Sequence, residues 1–349
     1  MDKMLAAVFH KNANNGGSVK LEEVKIPEIS KSNQILIKIG SCGICGTDLK
    51  IIEGGHPAND NIILGHEFTG IIKELGDGIK DLKVGDKVVV DPNEKCGYCI
   101  NCRRGYSNLC EYLALGTTFG IFQNGGFAKY SVIPRDAVFK LPKDIDLTAA
   151  ALVEPLSCAI HCHNIADIRE SDNVVIIGAG PMGLIIESVI RIHPIKNLIT
   201  IEIDDWRREK ALDLGADYVI NPHSQNVKDE VIKITESHGA DVIIDAVGLS
   251  ETFEMALDFW APGARLVCFG QDYRAEAKIK PNDIVRYQRK IMGSYIGDAE
   301  DFLDAIELIA NNVVEVKKLI TKTIPIEELV STGFHLMKER KCVKIIVKP

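Results

Sequence analysis

Residues 174–183 read Val-Val-Ile-Ile-Gly-Ala-Gly-Pro-Met-Gly, a β-branched run passing directly into a glycine-rich turn. The GxGxxG spacing stands where a strand gives way to a helix, a far narrower context than the bare motif. Gly178 permits the tight turn, and Gly180 lets the backbone approach a pyrophosphate. Gly183 lets helix and strand pack closely, while Pro181 and Met182 open a helix whose N–H groups and dipole attract an anion. Glu202 ends the next strand-like run, 24 residues after Gly178, where a carboxylate can accept hydrogen bonds from both ribose hydroxyls of a dinucleotide. That carboxylate repels a 2′-phosphate, so the expected cofactor is NAD; Arg207 and Arg208 nearby pull the other way.

The surrounding rhythm agrees with this turn. From about residue 172, strand-like and helix-like runs alternate: 174–177, a helix to 192, 198–202, 206–214, 218–220, 227–237, 241–245, 251–260 and 265–269. Such alternation predicts a parallel sheet with helices on both faces, an α/β fold. Residues 1 to about 147 instead carry short β-branched runs between turns, at 34–39, 70–74, 87–90 and 128–133. A helix at 299–310 and a strand at 343–347 come after the alternating region and can return to that first, mostly β, region. With 349 residues, two domains are expected and no disulfide staples are needed.

Ten cysteines remain to be placed. Cys96, Cys99, Cys102 and Cys110 form CxxCxxCx7C in a loop with Gly97, Asn101 and Gly105. Four thiolates at this spacing can close a tetrahedral shell around one structural zinc. An iron–sulfur cluster is the rival, but the third gap is long and Glu111, rather than a proline, follows Cys110. A second, dispersed set comprises Cys42, Cys45, Thr47 and Asp48, then His66 and Glu67, then Glu154. A catalytic zinc needs about three ligands from Cys, His and carboxylate with one position open. Taken singly, each residue has an ordinary structural reading. Cys158 with His161 and Cys162 with His163 lie on one helix without a third partner and read as packing.

The charge balance, 41 basic against 49 acidic residues, gives no electrostatic reason to expect nucleic acid or an anionic membrane as partner. Apolar runs are broken well short of the ~20 residues of a membrane helix. No secretory leader pattern opens the chain, so a reducing, cytoplasmic setting is expected, in which clustered cysteines hold metal.

Together these residues closely resemble the zinc-dependent medium-chain alcohol dehydrogenases, in particular the sorbitol, polyol and threonine dehydrogenase branch. The resemblance spans essentially the whole chain: Gly-Ile-Cys-Gly-Thr-Asp at 43–48, Gly65-His66-Glu67, the four-Cys lobe, Gly-Gly-Phe-Ala at 125–128, Glu154-Pro155-Leu156 and the glycine turn. It implies a GroES-like catalytic domain at 1–152 and 288–349 and a Rossmann NAD-binding domain at 153–287. It also implies two zincs per subunit and a homodimer or homotetramer.

Carried across by motif, Cys45 and His66 are the expected ligands of the catalytic zinc, with Cys42 a neighbour. Glu154 stands where primary-alcohol enzymes have a Cys; Glu67 can also ligate, and the two carboxylates can exchange. Asp48 is expected to orient His66. Zinc would act as a Lewis acid on the substrate hydroxyl, with Thr47 the first member of a proton relay. The usual next member is a His five residues after the ligand Cys; here that residue is Lys50, which could instead meet an anionic group on the substrate. Val247 and Phe269-Gly270 are expected beside the nicotinamide, and Tyr295 near the substrate. The implied function is oxidation of a secondary alcohol of a polyol, sugar alcohol, cyclitol or sugar-alcohol phosphate to a ketone. An L-threonine 3-dehydrogenase-like enzyme and a catalytically silent NAD-binding protein are the alternatives.

Overall fold

The computed structural model describes residues 2–13 and 16–349. It divides into two compact units, Met1–Pro155 with Asp298–Pro349, and Leu156–Gly297.

The first unit is built around the strand Gln34–Gly43. Its burial alternates, with Ile35, Ile37 and Ile39 facing inward, as a half-buried antiparallel strand requires. It pairs antiparallel with Glu67–Leu75, Tyr130–Pro134 and Lys344–Lys348, and the sheet continues through Lys87–Val90 to Val138–Lys140. Ile320–Pro325 pairs parallel with Lys344–Lys348 at the edge of this sheet, and a three-stranded sheet of Lys3–Lys11, Gly17–Lys25 and Ile62–Ile63 completes the β part. Phe9, Phe68 and Phe127 fill the core with the inward residues of the central strand.

Strand register brings three distant segments to one point. Gly43 lies opposite Glu67 on one neighbour and opposite Ile346 on the other, so the end of the central strand meets both the start of Glu67–Leu75 and the C-terminal strand. A Cβ at position 43 would collide with Glu67 Oε2, so only glycine lets that carboxylate lie across the strand.

The second unit is a six-stranded parallel sheet. Its spatial order is Tyr218–Ile220, Asn197–Ile201, Asn173–Ile177, Ala240–Asp245, Trp260–Cys268, Lys290–Gly293. The order reverses between the third and fourth of these, the switch point at which such sheets bind dinucleotides. All five residues of Asn173–Ile177 are buried, as expected of a strand covered on both faces.

Three local expectations change. The helix begun at 227 stops at Ile234, and the one expected over 251–260 is Ser250–Ala256. Trp260 instead begins a strand, because Pro262 and Gly263 end helical periodicity and the strand absorbs them at a register shift opposite Ala240–Val242. Lys290–Gly293 is the sixth strand of the parallel sheet, and the compact unit extends to Gly297; the sequence reading divided the chain at 288. Among the described residues, no helix is long and apolar enough to cross a membrane.

One core group carries a stability consequence. Glu187, on the helix Pro181–Ile190, is fully buried; Thr200 donates to its Oε2 (2.5 Å), and Oε1 has no hydrogen-bond partner. Burial pushes its carboxyl up to about 8, against which the Thr200 bond acts only weakly. The folded state therefore holds a proton that the unfolded chain releases near pH 4.5. Stability contributed by this group is complete below that value and falls as pH rises toward 8, by up to ~1.4 kcal/mol per pH unit. Glu187→Gln is expected to flatten the decline in melting temperature between about pH 6 and 8.5 measured by thermal unfolding; parallel curves for variant and parent would refute this.

Candidate active site and cofactor site

In the first unit the central strand runs through Gly43 to Cys45, which caps the helix Gly46–Glu53. The Cys45 N–H donates to Asp48 Oδ2 (2.9 Å), so the helix start fixes the backbone that carries the thiol. Cys45 Sγ lies 3.6 Å from Thr47 Oγ1. His66 precedes the strand Glu67–Leu75 and is buried, its Nδ1 3.8 Å from Asp48 Oδ1, too long for a hydrogen bond. Ligand atoms of Cys45, His66 and Glu67 lie within 4.8 Å of one another.

Several polar atoms in this cluster are buried without hydrogen-bond partners: Asp48 Oδ1, His66 Nδ1 and Glu67 Oε2. Orphaned buried polar atoms are rare and call for an explanation. A sulfur, an imidazole and carboxylates turned inward together are the donor set of a divalent cation, and zinc fits it.

Charge in the cluster is strongly coupled. Burial works against a charged His66, but Cys45, Asp48 and Glu154 outweigh it and lift the imidazole to about 10. Burial raises Asp48 to about 6, with His66 and the Cys45 N–H opposing. Burial likewise raises Glu154 to about 7, Glu67 and Asp91 adding to it while His66 and Lys344 oppose. Three buried carboxyl groups, Asp48, Glu67 and Glu154, thus share this pocket with two basic groups, His66 and Lys344.

Glu154, second residue of the helix Val153–Ala166, is buried within electrostatic reach of His66 and Glu67 but stands outside the 4.8 Å set. Glu67 is not wholly free to ligate: Lys344 Nζ forms an ion pair with its Oε1, both side chains being almost completely buried. Lys344 also donates to Ile44 O (3.4 Å). The sequence reading missed this lysine. Its only signal is a single cation inside the apolar strand 343–347. Cys42 is buried beside the cluster, its thiol raised well above the ordinary range by burial and then by Asp48 and Glu67. Lys50 is exposed near the end of its helix.

Cys96, Cys99, Cys102 and Cys110 converge with their sulfurs within 4.8 Å of one another. The Cys110–Cys96 and Cys99–Cys110 separations are 3.5 and 4.0 Å, bracketing the ~3.8 Å edge of a tetrahedron with Zn–S bonds of about 2.3 Å. Backbone N–H groups donate to the sulfurs: Cys96 to Cys110, Cys99 to Cys96, Cys102 to Cys99 and Tyr112 to Cys110. Such bonds favour thiolates, and those from Cys102 and Glu111 lower Cys99 to about 6. Four sulfurs closing on one centre fit a structural zinc. Cys99→Ser is expected to remove one zinc per subunit and about 3 kcal/mol of stability, roughly 6–12 °C in melting temperature. Metal analysis with thermal unfolding reads both, and unchanged values would refute the closed shell.

In the second unit the glycine turn has the required geometry. Gly178 has φ +94°, and a Cβ on Gly183 would collide with Gly178 O. Pro181 starts the helix with Gly180 as its cap, and Val247 packs against Gly178. Glu202 departs from expectation. Its Oε2 accepts from the Ala179 N–H (2.8 Å), and its Oε1 from the N–H groups of Ile203 (2.8 Å) and Asp204 (3.0 Å). Of about four acceptor positions on a carboxylate, three are occupied, leaving room for one ribose hydroxyl rather than two. Glu202 thus also ties the glycine turn to the next strand. The Arg207 guanidinium stands beside Gly180 with its Nε buried and lacking a hydrogen-bond partner, whereas Arg208 donates to Glu202 O (2.7 Å) and pairs with Asp205.

Other singled-out residues are less informative. Tyr295 is about half exposed. Burial drives the Cys162 thiol up to about 12, and His163 stacks on His193 at 4.1 Å, so both act in packing.

Comparison with known proteins bears on the family of the chain. The family model described as alcohol dehydrogenase GroES-like domain matches residues 31–143, and that described as zinc-binding dehydrogenase matches 181–311. The chain is 32% identical to D-xylulose reductase A of Aspergillus oryzae over 94% of its length and 93% of that protein's. It is also 32% identical to L-threonine 3-dehydrogenase of Pyrococcus horikoshii, over 99% and 98%. Among solved structures, an alcohol dehydrogenase of Escherichia coli complexed with NADH matches with a TM-score of 0.90 at 28% identity over the whole of both chains. The chain belongs to the zinc-binding alcohol dehydrogenases of the medium-chain type, NAD-dependent enzymes that oxidise CH–OH groups.

Proposed function

We propose that the protein oxidises a secondary alcohol of a polyol, sugar alcohol, cyclitol or sugar-alcohol phosphate to the ketone, with NAD as acceptor. The observation that carries this reading is the carboxylate-rich cluster of Cys45, His66 and Glu67 with Glu154 beside it, in place of a second cysteine ligand. Cys45, His66 and one of the two carboxylates would hold the reacting zinc, and the four-Cys lobe a second, structural one. Zinc, when bound, supplies a Lewis acid that polarises the substrate hydroxyl. NAD, when bound, supplies the hydride acceptor.

The remaining work falls to side chains. Thr47, beside Cys45 Sγ, can accept and pass on the hydroxyl proton. Asp48 holds the Cys45 backbone through its Oδ2, while its Oδ1 faces His66 Nδ1 at 3.8 Å without a hydrogen bond. Lys344 restrains one oxygen of Glu67, which favours Glu154 as the carboxylate able to move. Gly178, Gly180 and Gly183 would admit the pyrophosphate with Pro181 and Met182 at the helix start. Arg207 would meet a phosphate or ribose oxygen, and Val247 would flank the nicotinamide. The remaining acceptor position of Glu202 supports NAD over NADP.

A threonine-oxidising enzyme is the second reading, favoured by the 32% identity to the Pyrococcus horikoshii protein. For the assembly we propose a homodimer, or a tetramer built from it. The edge strand Lys290–Gly293 exposes Ile291 and suits pairing with a second copy.

A screen of NAD and NADP reduction over neutral polyols, cyclitols, their phosphates and threonine, with metal content per subunit, tests the whole reading. Two zincs and turnover of one polyol class with NAD are expected. Turnover of threonine alone would select the second reading, and preference for NADP would overturn the role given to Glu202.

A further inference from the structure

One carboxylate oxygen of Glu67 belongs, with ligand atoms of Cys45 and His66, to the set lying within 4.8 Å of one another. The two oxygens of that carboxylate are not equivalent. Oε1 is paired with Lys344 Nζ, whereas Oε2 is buried without a hydrogen-bond partner. A carboxylate can give a metal one oxygen or both, and both together fill two positions of the shell. A reacting zinc must keep one position open, so the number of oxygens that Glu67 gives bears directly on turnover.

Strand geometry fixes this carboxylate at both ends. Gly43 pairs with Glu67 on one neighbouring strand and with Ile346 on the other, and the Ile44 N–H donates to Ile345 O (2.9 Å). Lys344 shares a strand face with Ile346, and its Nζ reaches both Glu67 Oε1 and Ile44 O (3.4 Å). A Cβ at position 43 would collide with Oε2, so that oxygen lies against the glycine backbone. Lys344 and Glu67 are each exposed by about 1%, which leaves no water to take over either role. Turning Oε1 away from Lys344 would leave a buried ammonium unpaired, a strongly unfavourable change.

We propose that Lys344 is a positioning residue of the reacting centre: by holding Oε1 it limits Glu67 to a single metal-donor oxygen, Oε2, and so keeps a position open for the substrate hydroxyl. Lys344 acts through Glu67 and not on the substrate. The proposal rests on the reading of Cys45, His66 and a carboxylate as the zinc site.

The test follows the zinc that Cys45→Ser removes, by competition with a chromophoric chelator. Metal-stripped and reloaded wild type, Lys344→Met, Glu67→Gln and the double variant are compared. Glu67→Gln is expected to weaken this zinc at least about tenfold, because a donor is lost. Lys344→Met is expected to tighten it at least about tenfold, as the second oxygen joins the shell. The same variant is expected to lower kcat about 100-fold on the substrate identified by the screen, with KM for NAD unchanged. The tightening is expected to shrink at least about fivefold when residue 67 is already Gln. Equal tightening in both backgrounds would overturn the proposal by reducing Lys344 to a repelling charge. Weaker or unchanged zinc binding in Lys344→Met, or unchanged binding in Glu67→Gln, would overturn it as well.

Infrared difference spectra of the wild type, zinc-loaded minus metal-free, need no Lys344 variant. The two carboxylate stretching bands that Glu67→Gln abolishes are expected to move apart on zinc binding, as one-oxygen ligation requires. Bands drawing together, the mark of two-oxygen ligation, would overturn the proposal. Cys45→Ser retaining its full zinc content would instead reject the reacting centre on which it rests.

Discussion

Lys344→Met is expected to destabilise the protein by about 3–5 kcal/mol, the usual consequence of leaving one member of a buried ion pair without its partner. Lys344 and Glu67 are each exposed by about 1%. With the ammonium gone, the Glu67 carboxylate would keep one orphaned oxygen and acquire a second. Because the cost arises from the uncompensated charge, the double variant Lys344→Met with Glu67→Gln is expected to recover much of the loss. Thermal and denaturant unfolding of the two single variants and the double variant measures this coupling. Additive losses would show that Lys344 acts through packing alone. Chelation of zinc is expected to deepen the defect of the single variant, since a cation near Glu67 otherwise offsets part of the missing charge.

Cys45→Ser is expected to reduce turnover by about three orders of magnitude or more while leaving NAD affinity within about twofold. The sulfur belongs to the donor cluster of the first unit, whereas the glycine turn, Glu202 and Arg207 all lie within residues 156–297. Both tryptophans, Trp206 and Trp260, lie in that second unit as well, and Trp206 follows Glu202 by four residues. Quenching of their fluorescence can therefore report NAD binding independently of turnover. Near-normal kcat would reject Cys45 as a ligand of the reacting zinc, and lost NAD binding would mean that the substitution acts by unfolding.

The two sites were legible in the sequence to different depths. The glycine turn and the four-Cys lobe are each confined to one short contiguous segment, so spacing alone constrains their geometry. The proposed reacting cluster is dispersed over positions 45, 66, 67 and 154, and in the sequence only the resemblance to a known family joined them. Even that resemblance left the commitment of Glu67 hidden, because its partner is 277 residues away. Glu202 shows the same limit from the other side. Its position at a strand end was readable, but its three N–H donors depend on how the glycine turn closes over it.

By itself, then, the sequence determined what neighbouring residues control. Alternating strand and helix periods set the parallel sheet, the glycines set a phosphate-approaching turn, and four clustered thiols set a metal lobe. Tertiary structure alone decided which buried charges face each other, since that depends on the register of strands far apart in the chain. The pairing of Gly43 with both Glu67 and Ile346 brings Lys344 to Glu67. Burial then raises the electrostatic stakes of each such meeting, because in a low-dielectric interior an unpaired charge is too costly to leave unanswered.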